Sequence, residues 1–95
     1  MSASETICRA IGTQRLLSFV YKGSIRTVEP YILGYEEGGG LTLSAVQVLG
    51  GSGKGFRSFS VEGISALAMS DRHFQRDHPD YNSRDRFFAQ VICQI

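Results

Sequence analysis

An alternating apolar pattern interrupted by a glycine turn limits the fold of this chain more than any other feature. Leu17, Phe19 and Tyr21 occupy every second position of one short run, and Lys22-Gly23-Ser24 follows as a turn. A second apolar run begins at Ile25. Because period-two alternation on both sides of a glycine turn is typical of a β-hairpin, the sequence predicts two paired strands here.

Similar short runs continue along the chain and predict a mainly β protein. Many short strands separated by turns favour a small Sm-like or SH3-like antiparallel barrel, or a strongly bent sheet. Pro30 lacks a backbone donor and indicates a strand edge, a bend or a bulge. The apolar C-terminal segment should add an edge strand or cover the barrel. Strands are expected at about 15–21, 25–34, 41–49, 55–60, 64–69 and 87–94.

One N-terminal α-helix is expected at about residues 4–12. Ser2 and Glu5 have capping-box spacing, and Gly12 is expected to end the helix. The segment 70–86 is polar and is expected to be a packed excursion or a loop. The predicted core contains Ile7, Ile11, Leu17, Phe19, Leu43, Val46, Phe59, Ile64 and Leu67.

Composition predicts one small domain spanning residues 1–95. With 42% hydrophobic residues the chain can close a single small core, so partial stabilisation by self-association is compatible with its size. We find no apolar run of membrane-spanning length and no basic segment followed by a hydrophobic one at the N-terminus. A cytoplasmic protein without membrane contact is therefore expected.

The two cysteines predict neither a disulfide scaffold nor a zinc site. Cys8 and Cys93 lie at opposite ends of the chain, without a second pair or Cys-x-x-Cys spacing. They are expected to be reduced, partly buried small apolar residues.

The charge distribution disfavours autonomous binding of duplex DNA. The net charge is +1, and no stretch concentrates lysine or arginine. Proteins that grip duplex DNA through many phosphates usually carry a strong positive excess. A pocket with two or three arginines remains compatible with this balance.

Three motifs that could indicate an enzyme or a cofactor site do not fit. The glycine-rich segment 50–55 lacks the spacing of a phosphate-binding loop, since Val48 and Gly55 stand where that motif needs Gly and Ser or Thr. The spacing of His73 and His78 among nearby aspartates fits no common metal site. The strand serines lack an identifiable histidine base. No catalytic residue, metal or cofactor is expected.

Polar residues inside otherwise apolar strands form the candidate ligand site. Arginine offers a planar fork of donors for phosphate or a base edge, and tyrosine can stack on a nucleobase. A structural role is equally open: Arg26 could bridge to Glu29 or Glu62, Arg57 could lie on a solvated face, and Tyr21 could belong to the core. The candidate residues are Tyr21, Arg26, Gln47 and Arg57.

The order of these features resembles that of a WYL domain over roughly residues 5–70. The name-giving Trp-Tyr-Leu is Leu41-Thr42-Leu43 here, so only the leucine is kept. The residues that match in order are Ala10-Ile11, Tyr21, Arg26, Val28-Glu29-Pro30, Leu43, Phe56-Arg57 and Ile64.

The resemblance implies a ligand-sensing module whose positive pocket recognises a nucleotide or single-stranded nucleic acid. Tyr21, Arg26 and Arg57 match pocket positions, whereas the DNA-binding helix-turn-helix that usually accompanies the family is absent from these 95 residues. Two functions follow as expectations. One is a non-catalytic sensing or accessory module for an anionic ligand. The other is a protein-interaction or homo-oligomerisation module with a vestigial pocket, which the loss of the aromatic pair at Leu41 and Thr42 favours.

Overall fold

A computed structural model describes residues 2–50, 55–75, 78–83 and 86–95 of this chain. It contains one α-helix and an antiparallel β-sheet, as the sequence predicts. The elements in order are α1 (Ala3–Thr13), β1 (Arg15–Tyr21), β2 (Ser24–Glu36), β3 (Leu41–Leu49), β4 (Gly55–Ser60), a 3-10 turn (Val61–Gly63), β5 (Ser65–His73) and β6 (Phe88–Gln94).

The six strands form one sheet around the long strand β2. The main path runs β4-β3-β2-β1-β5, and β6 pairs with β2 beside β1. β1 uses the first half of β2, with Leu17 opposite Val28, and β6 uses the second half, with Cys93 opposite Leu33. Over the described residues β4 and β5 do not pair, so the sheet is not closed. The Sm-like or SH3-like barrel type stays a prediction.

Helix α1 begins at the predicted capping box but ends later than predicted. The Glu5 N–H donates to Ser2 Oγ and the Ser2 N–H donates to Glu5 Oε1, each with a donor–acceptor distance of 3.1 Å. Hydrogen bonding from the Ser2 backbone N–H, and after it from the Ser2 side chain, lowers the pKa of the Glu5 carboxyl. The prediction that Gly12 ends the helix is wrong. The left-handed residue is Gln14, with φ of 55°, and its carbonyl oxygen accepts from the Phe74 N–H at the end of β5.

Hydrophobic side chains pack on both faces of the sheet. On the helix face, Ile7, Ala10 and Ile11 contact the sheet through the i, i+3, i+4 spacing of one helical stripe. On the opposite face, Tyr31 and Phe74 belong to a second buried cluster. Of the predicted core, all but Ile64 and Leu67 are buried, and those two are partly buried against the helix-face cluster.

Pro30 lies at a bulge, one of the three alternatives that its sequence position allowed. Pro30 faces Ala45 and Ile32 faces Ser44, so the β2–β3 register shifts by one residue at Tyr31. A bulge bends the strand and increases its twist. It also changes which side chains of β2 point to each face, which places Tyr31 and Ile32 in the second cluster.

The ends of the described chain are joined covalently, which corrects the prediction of reduced cysteines. Cys8 of α1 and Cys93 of β6 form a disulfide bond, with their Cα atoms 5.8 Å apart. Sequence spacing could not indicate this pairing, because α1 and β6 meet only once β2 has paired with both β1 and β6. No described helix is long and apolar enough to cross a membrane.

Candidate functional site

Three of the four candidate residues lie together at the turn between β1 and β2. Arg26 Nη1 donates to Gln47 Oε1 at a distance of 3.0 Å, and Nη2 donates to the Tyr21 carbonyl oxygen at 3.2 Å. Nε donates to Ser24 Oγ over 2.9 Å. We call Tyr21, Ser24, Arg26 and Gln47 the Arg26 cluster. All three nitrogens of the guanidinium are therefore engaged within the protein.

Aromatic rings enclose the same guanidinium. Its central carbon lies 5.6 Å from the centroid of the Tyr21 ring and 6.0 Å from that of Phe59. Tyr21 is itself held at its far end, since its hydroxyl accepts from the Ser60 N–H over 3.1 Å. The two rings meet edge to face at 5.1 Å. Cation–π contact and hydrogen bonds together fix Arg26 between β2 and β4.

Gln47 connects the cluster to the end of β3. Its side chain is fully buried, and its Nε2 donates to the Gly50 carbonyl oxygen over 2.6 Å. Gly50 has φ of +93°, and a Cβ there would overlap the carbonyl oxygen of Ile25. Glycine is therefore required at position 50, where the end of β3 lies against the backbone of Ile25 in β2. The Arg26 cluster ties the β1–β2 turn to the end of β3, which is a structural role.

Arg57 occupies a different place. It lies on β4 opposite Ala45 and lines an open groove of about 290 Å³. None of the described residues hydrogen-bonds to its guanidinium or forms an ion pair with it. The two arginines therefore differ in their partners: Arg26 has acceptors on every nitrogen, whereas Arg57 borders a groove that Arg26 does not line.

The groove lies between β4 and the segment that follows β5. Residues 56–58 form one wall, residues 80–82 the other, and Ile32, Ser44 and Phe87 complete the lining. Its volume is near the lower limit of small-molecule sites, which start at about 300 Å³. The lining residues include three aromatic residues, two serines, one asparagine, one arginine and one aspartate.

Aromatic contacts hold the two walls together. The Tyr31 ring lies 5.1 Å from Phe56 and 5.0 Å from Tyr81, between centroids. The Tyr31 hydroxyl donates to the Gln75 carbonyl oxygen and accepts from the His78 N–H. Tyr81 donates through its hydroxyl to the Ile95 carbonyl oxygen over 3.1 Å, and burial raises its pKa. The second wall is thus anchored to the sheet at several points.

The sequence did not indicate the second wall as part of a site. Asp80, Tyr81 and Asn82 belong to the polar segment 70–86, which the sequence predicts only as a packed excursion or a loop. Their place opposite Phe56 depends on pairing between residues far apart in the chain. The aromatic residues Phe56 and Tyr81 were the available signal, but nothing in their spacing shows that they face one groove.

The groove offers no arrangement for nucleophilic catalysis within the described residues. Ser44 and Ser58 line it, yet neither hydrogen-bonds to a described histidine. His78 Nδ1 instead accepts from the Asp80 N–H over 3.1 Å. Within the described ranges no three His, Cys, Asp or Glu side chains could hold a metal ion. Residues 51–54, the centre of the glycine-rich segment, and Asp77 lie outside the described residues.

A comparison of the chain with protein-family models, curated proteins and solved structures found no match.

Proposed function

We propose that this protein is a non-catalytic binding module for a small anionic ligand that carries a planar ring, such as a nucleotide. The observation that carries the proposal is the groove whose lining residues combine Arg57 with the aromatic residues Phe56, Tyr81 and Phe87. Arginine suits a phosphate oxygen pair, and aromatic rings suit the face of a base. Ligand sensing of this kind is also what the resemblance to WYL domains implies.

The groove suggests how such a ligand would be oriented. Its phosphate would lie at Arg57 of β4 and away from Asp80, since a carboxylate repels an anion. The ring would contact Phe56 or Tyr81, both of which line the cavity. Asp80 and Asn82 would then face ring amino groups or sugar hydroxyls. A single mononucleotide, or one nucleotide of a longer strand, matches the size of the cavity.

The test is a thermal-shift screen with nucleoside monophosphates and short single-stranded oligonucleotides. A ligand that binds only the folded state must raise the apparent melting temperature. For a ligand that does so, Arg57→Ala should weaken binding by about 1 to 3 kcal/mol, roughly 5- to 150-fold in Kd. Added salt should weaken binding as well.

Arg9→Ala is the matched control, since it removes the same charge from an exposed position on α1. It should leave Kd within about twofold, the range expected when only distant, screened charge changes. If Arg26→Ala abolished binding without loss of stability while Arg57→Ala had no effect, the ligand would lie at the Arg26 cluster instead. If no ligand shifted the wild type, the groove would be vestigial and the interaction-module alternative would replace this proposal.

A further inference from the structure

Strand β6 is connected to the groove at both of its ends. Phe87, which lines the groove, immediately precedes Phe88, the first residue of β6. Just beyond the other end of β6, the Ile95 carbonyl oxygen accepts from the Tyr81 hydroxyl at a distance of 3.1 Å. Tyr81 belongs to the second wall of the groove. The position of β6 therefore affects the shape of the groove.

A second bond from Ile95 reaches the residue that lies between the two walls. The Ile95 N–H donates to the Tyr31 carbonyl oxygen at a distance of 2.9 Å. The Tyr31 hydroxyl accepts from the His78 N–H, and the Tyr31 ring lies 5.0 Å from that of Tyr81. Ile95 thus bonds to two tyrosines that contact each other. We call Tyr31, Tyr81 and Ile95 the Ile95 anchor.

The pairing of β6 with the sheet is irregular next to this anchor. Among the described strands β6 pairs only with β2, and its register shifts at Ala89 and again at Ile92. Each shift leaves a residue unpaired and disrupts the ladder locally. Cys93 lies between the second shift and Ile95, and its disulfide bond to Cys8 joins this end of β6 to α1. The disulfide therefore fixes the end of β6 that carries the Ile95 anchor.

A dithiol reductant would remove this covalent link. Cys8 and Cys93 are only partly buried, so the core does not enclose them. One thiolate of the reductant attacks a protein sulfur and forms a mixed disulfide, and its second thiolate then closes the reductant's own disulfide. The reductant gives up two electrons and two protons, the Cys8–Cys93 bond breaks, and the protein gains two thiols. α1 and β6 are then no longer joined covalently.

We infer that the Cys8–Cys93 bond is a redox switch for the groove. In the oxidised protein the bond holds the Ile95 anchor and, through it, the second wall. In the reduced protein the end of β6 and the second wall loosen while the rest of the sheet stays folded, so ligand affinity falls. The effect on affinity rests on the proposed function, whereas the loosening of the second wall does not depend on a ligand.

Amide hydrogen exchange without ligand tests the loosening directly. The wild type is compared in its oxidised form and after reduction with dithiothreitol. The amides of His78, Tyr81 and Ile95 report on the second wall and its anchor, because each donates a hydrogen bond. Reduction should raise their exchange rates by about 5- to 150-fold, the usual range of coupling between two sites. The Ile64 amide, which donates to Val61 in the 3-10 turn, should change little.

Two variants separate this local effect from a general loss of stability. Arg26→Ala should destabilise the oxidised protein, but the hydrogen-bond partners of Arg26 include no residue of β6, so the second-wall amides should exchange as in the wild type. Tyr81→Phe keeps the disulfide and removes the hydroxyl that bonds to Ile95. In that variant the amide of residue 81 should exchange fast in the oxidised form and respond much less to reduction.

Binding of adenosine 5′-monophosphate to the oxidised and the reduced wild type completes the test. Its Kd should rise by about 5- to 150-fold on reduction. Equal Kd values in the two forms would overturn the switch. So would second-wall amides that do not respond to reduction, a reduced protein that unfolds completely, or a Tyr81→Phe variant that responds like the wild type. If neither form bound any nucleotide or oligonucleotide, the proposed function would fail, and the exchange rates would still decide whether the disulfide controls the second wall.

Discussion

Arg26 has three hydrogen-bond acceptors and two aromatic rings around it, and the buried amide of Gln47 depends on it. Removing the guanidinium would break its hydrogen bonds to Ser24 Oγ, Gln47 Oε1 and the Tyr21 carbonyl oxygen. Hydrogen bonds that involve a charged group contribute about 1.5 to 3 kcal/mol each. Arg57 has no comparable set of partners among the described residues.

We therefore expect Arg26→Ala to lower the free energy of unfolding by about 1 to 3 kcal/mol. Arg57→Ala should change it by less than about 0.5 kcal/mol, as is usual for substitutions away from packed or bonded sites. Urea denaturation of both variants measures the difference. Equal destabilisation by the two substitutions would contradict the structural role assigned to Arg26.

Tyr81 should be less acidic than a tyrosine in free solution. Burial raises its pKa above the ordinary value of 10.0 because the phenolate loses solvation. Since the folded-state pKa is the higher one, this contribution to stability is fully present below about pH 10 and is lost as pH rises through the folded-state value. Ultraviolet titration of wild type and Tyr81→Phe should show that the variant lacks a late phenolate transition; an unchanged titration would contradict the assignment.

The sequence pattern was sufficient to bring Tyr21, Arg26 and Gln47 into one region, because each occupies a defined position of an alternating strand. It could not assign their role. Whether an arginine binds a ligand or a neighbouring side chain depends on which acceptors other strands supply. Gln47 lies 21 residues from Arg26 and reaches it only through the β2–β3 register.

At the scale of helices and strands, β2 and β6 approach each other closely at Gly34. Gly34 is buried, and a Cβ there would overlap the Gln90 carbonyl oxygen and come within 2.8 Å of Phe88 Cδ1. The contact with the backbone cannot be relieved by rotating a side chain. The absence of a side chain at Gly34 is thus a condition for β6 to pair with β2.

Gly34→Ala should displace β6 and destabilise the protein by more than about 1 kcal/mol, the range of overpacking substitutions. Gly38→Ala is the control, because a Cβ there has no neighbour within 4 Å and the turn residue does not have positive φ. Amide hydrogen exchange should increase in β6 of the first variant and not of the second. Unchanged exchange in β6 after Gly34→Ala would contradict the prediction, because it would show that the added methyl group does not disturb the pairing of β2 with β6.

Strand positions were predictable from alternation and glycine, whereas their lengths were not. The predicted segment 25–34 extends to Glu36 because β6 pairs with its last residues. The predicted segment 64–69 extends to His73, which pairs with Arg15 after a bulge. Both extensions depend on partners distant in sequence, so local pattern alone gives no sign of them. The expected C-terminal strand is confirmed as β6, paired with β2.

For the protein as a whole, the Cys8–Cys93 bond is the strongest single constraint. It closes a loop with a sequence separation of 85 residues. In the chain-entropy model a loop of that length restricts the unfolded state by about 4 to 5 kcal/mol. Disulfides persist chiefly in oxidising compartments. The cytoplasmic location expected from the sequence stays a prediction.

The double variant Cys8→Ser/Cys93→Ser should unfold at lower denaturant concentration, with a loss of about 2 to 5 kcal/mol. Chemical reduction of the wild type should give a similar loss, whereas a reductant should not affect the double variant. Guanidinium denaturation with and without reductant measures all three. If the double variant matched the oxidised wild type, the bond would make no contribution to stability.

The disulfide also determines how the protein carries tension. Force applied through the segments outside Cys8 and Cys93 passes across the sulfur–sulfur bond and bypasses the sheet. In the oxidised protein, a stretching measurement would therefore not extend the chain between the two cysteines, which are separated by 85 residues in sequence. Reduction would release it, adding roughly 300 Å of extensible chain at about 3.5 Å per residue. A single chemical bond therefore decides whether this domain behaves as a stiff link or as an extensible one.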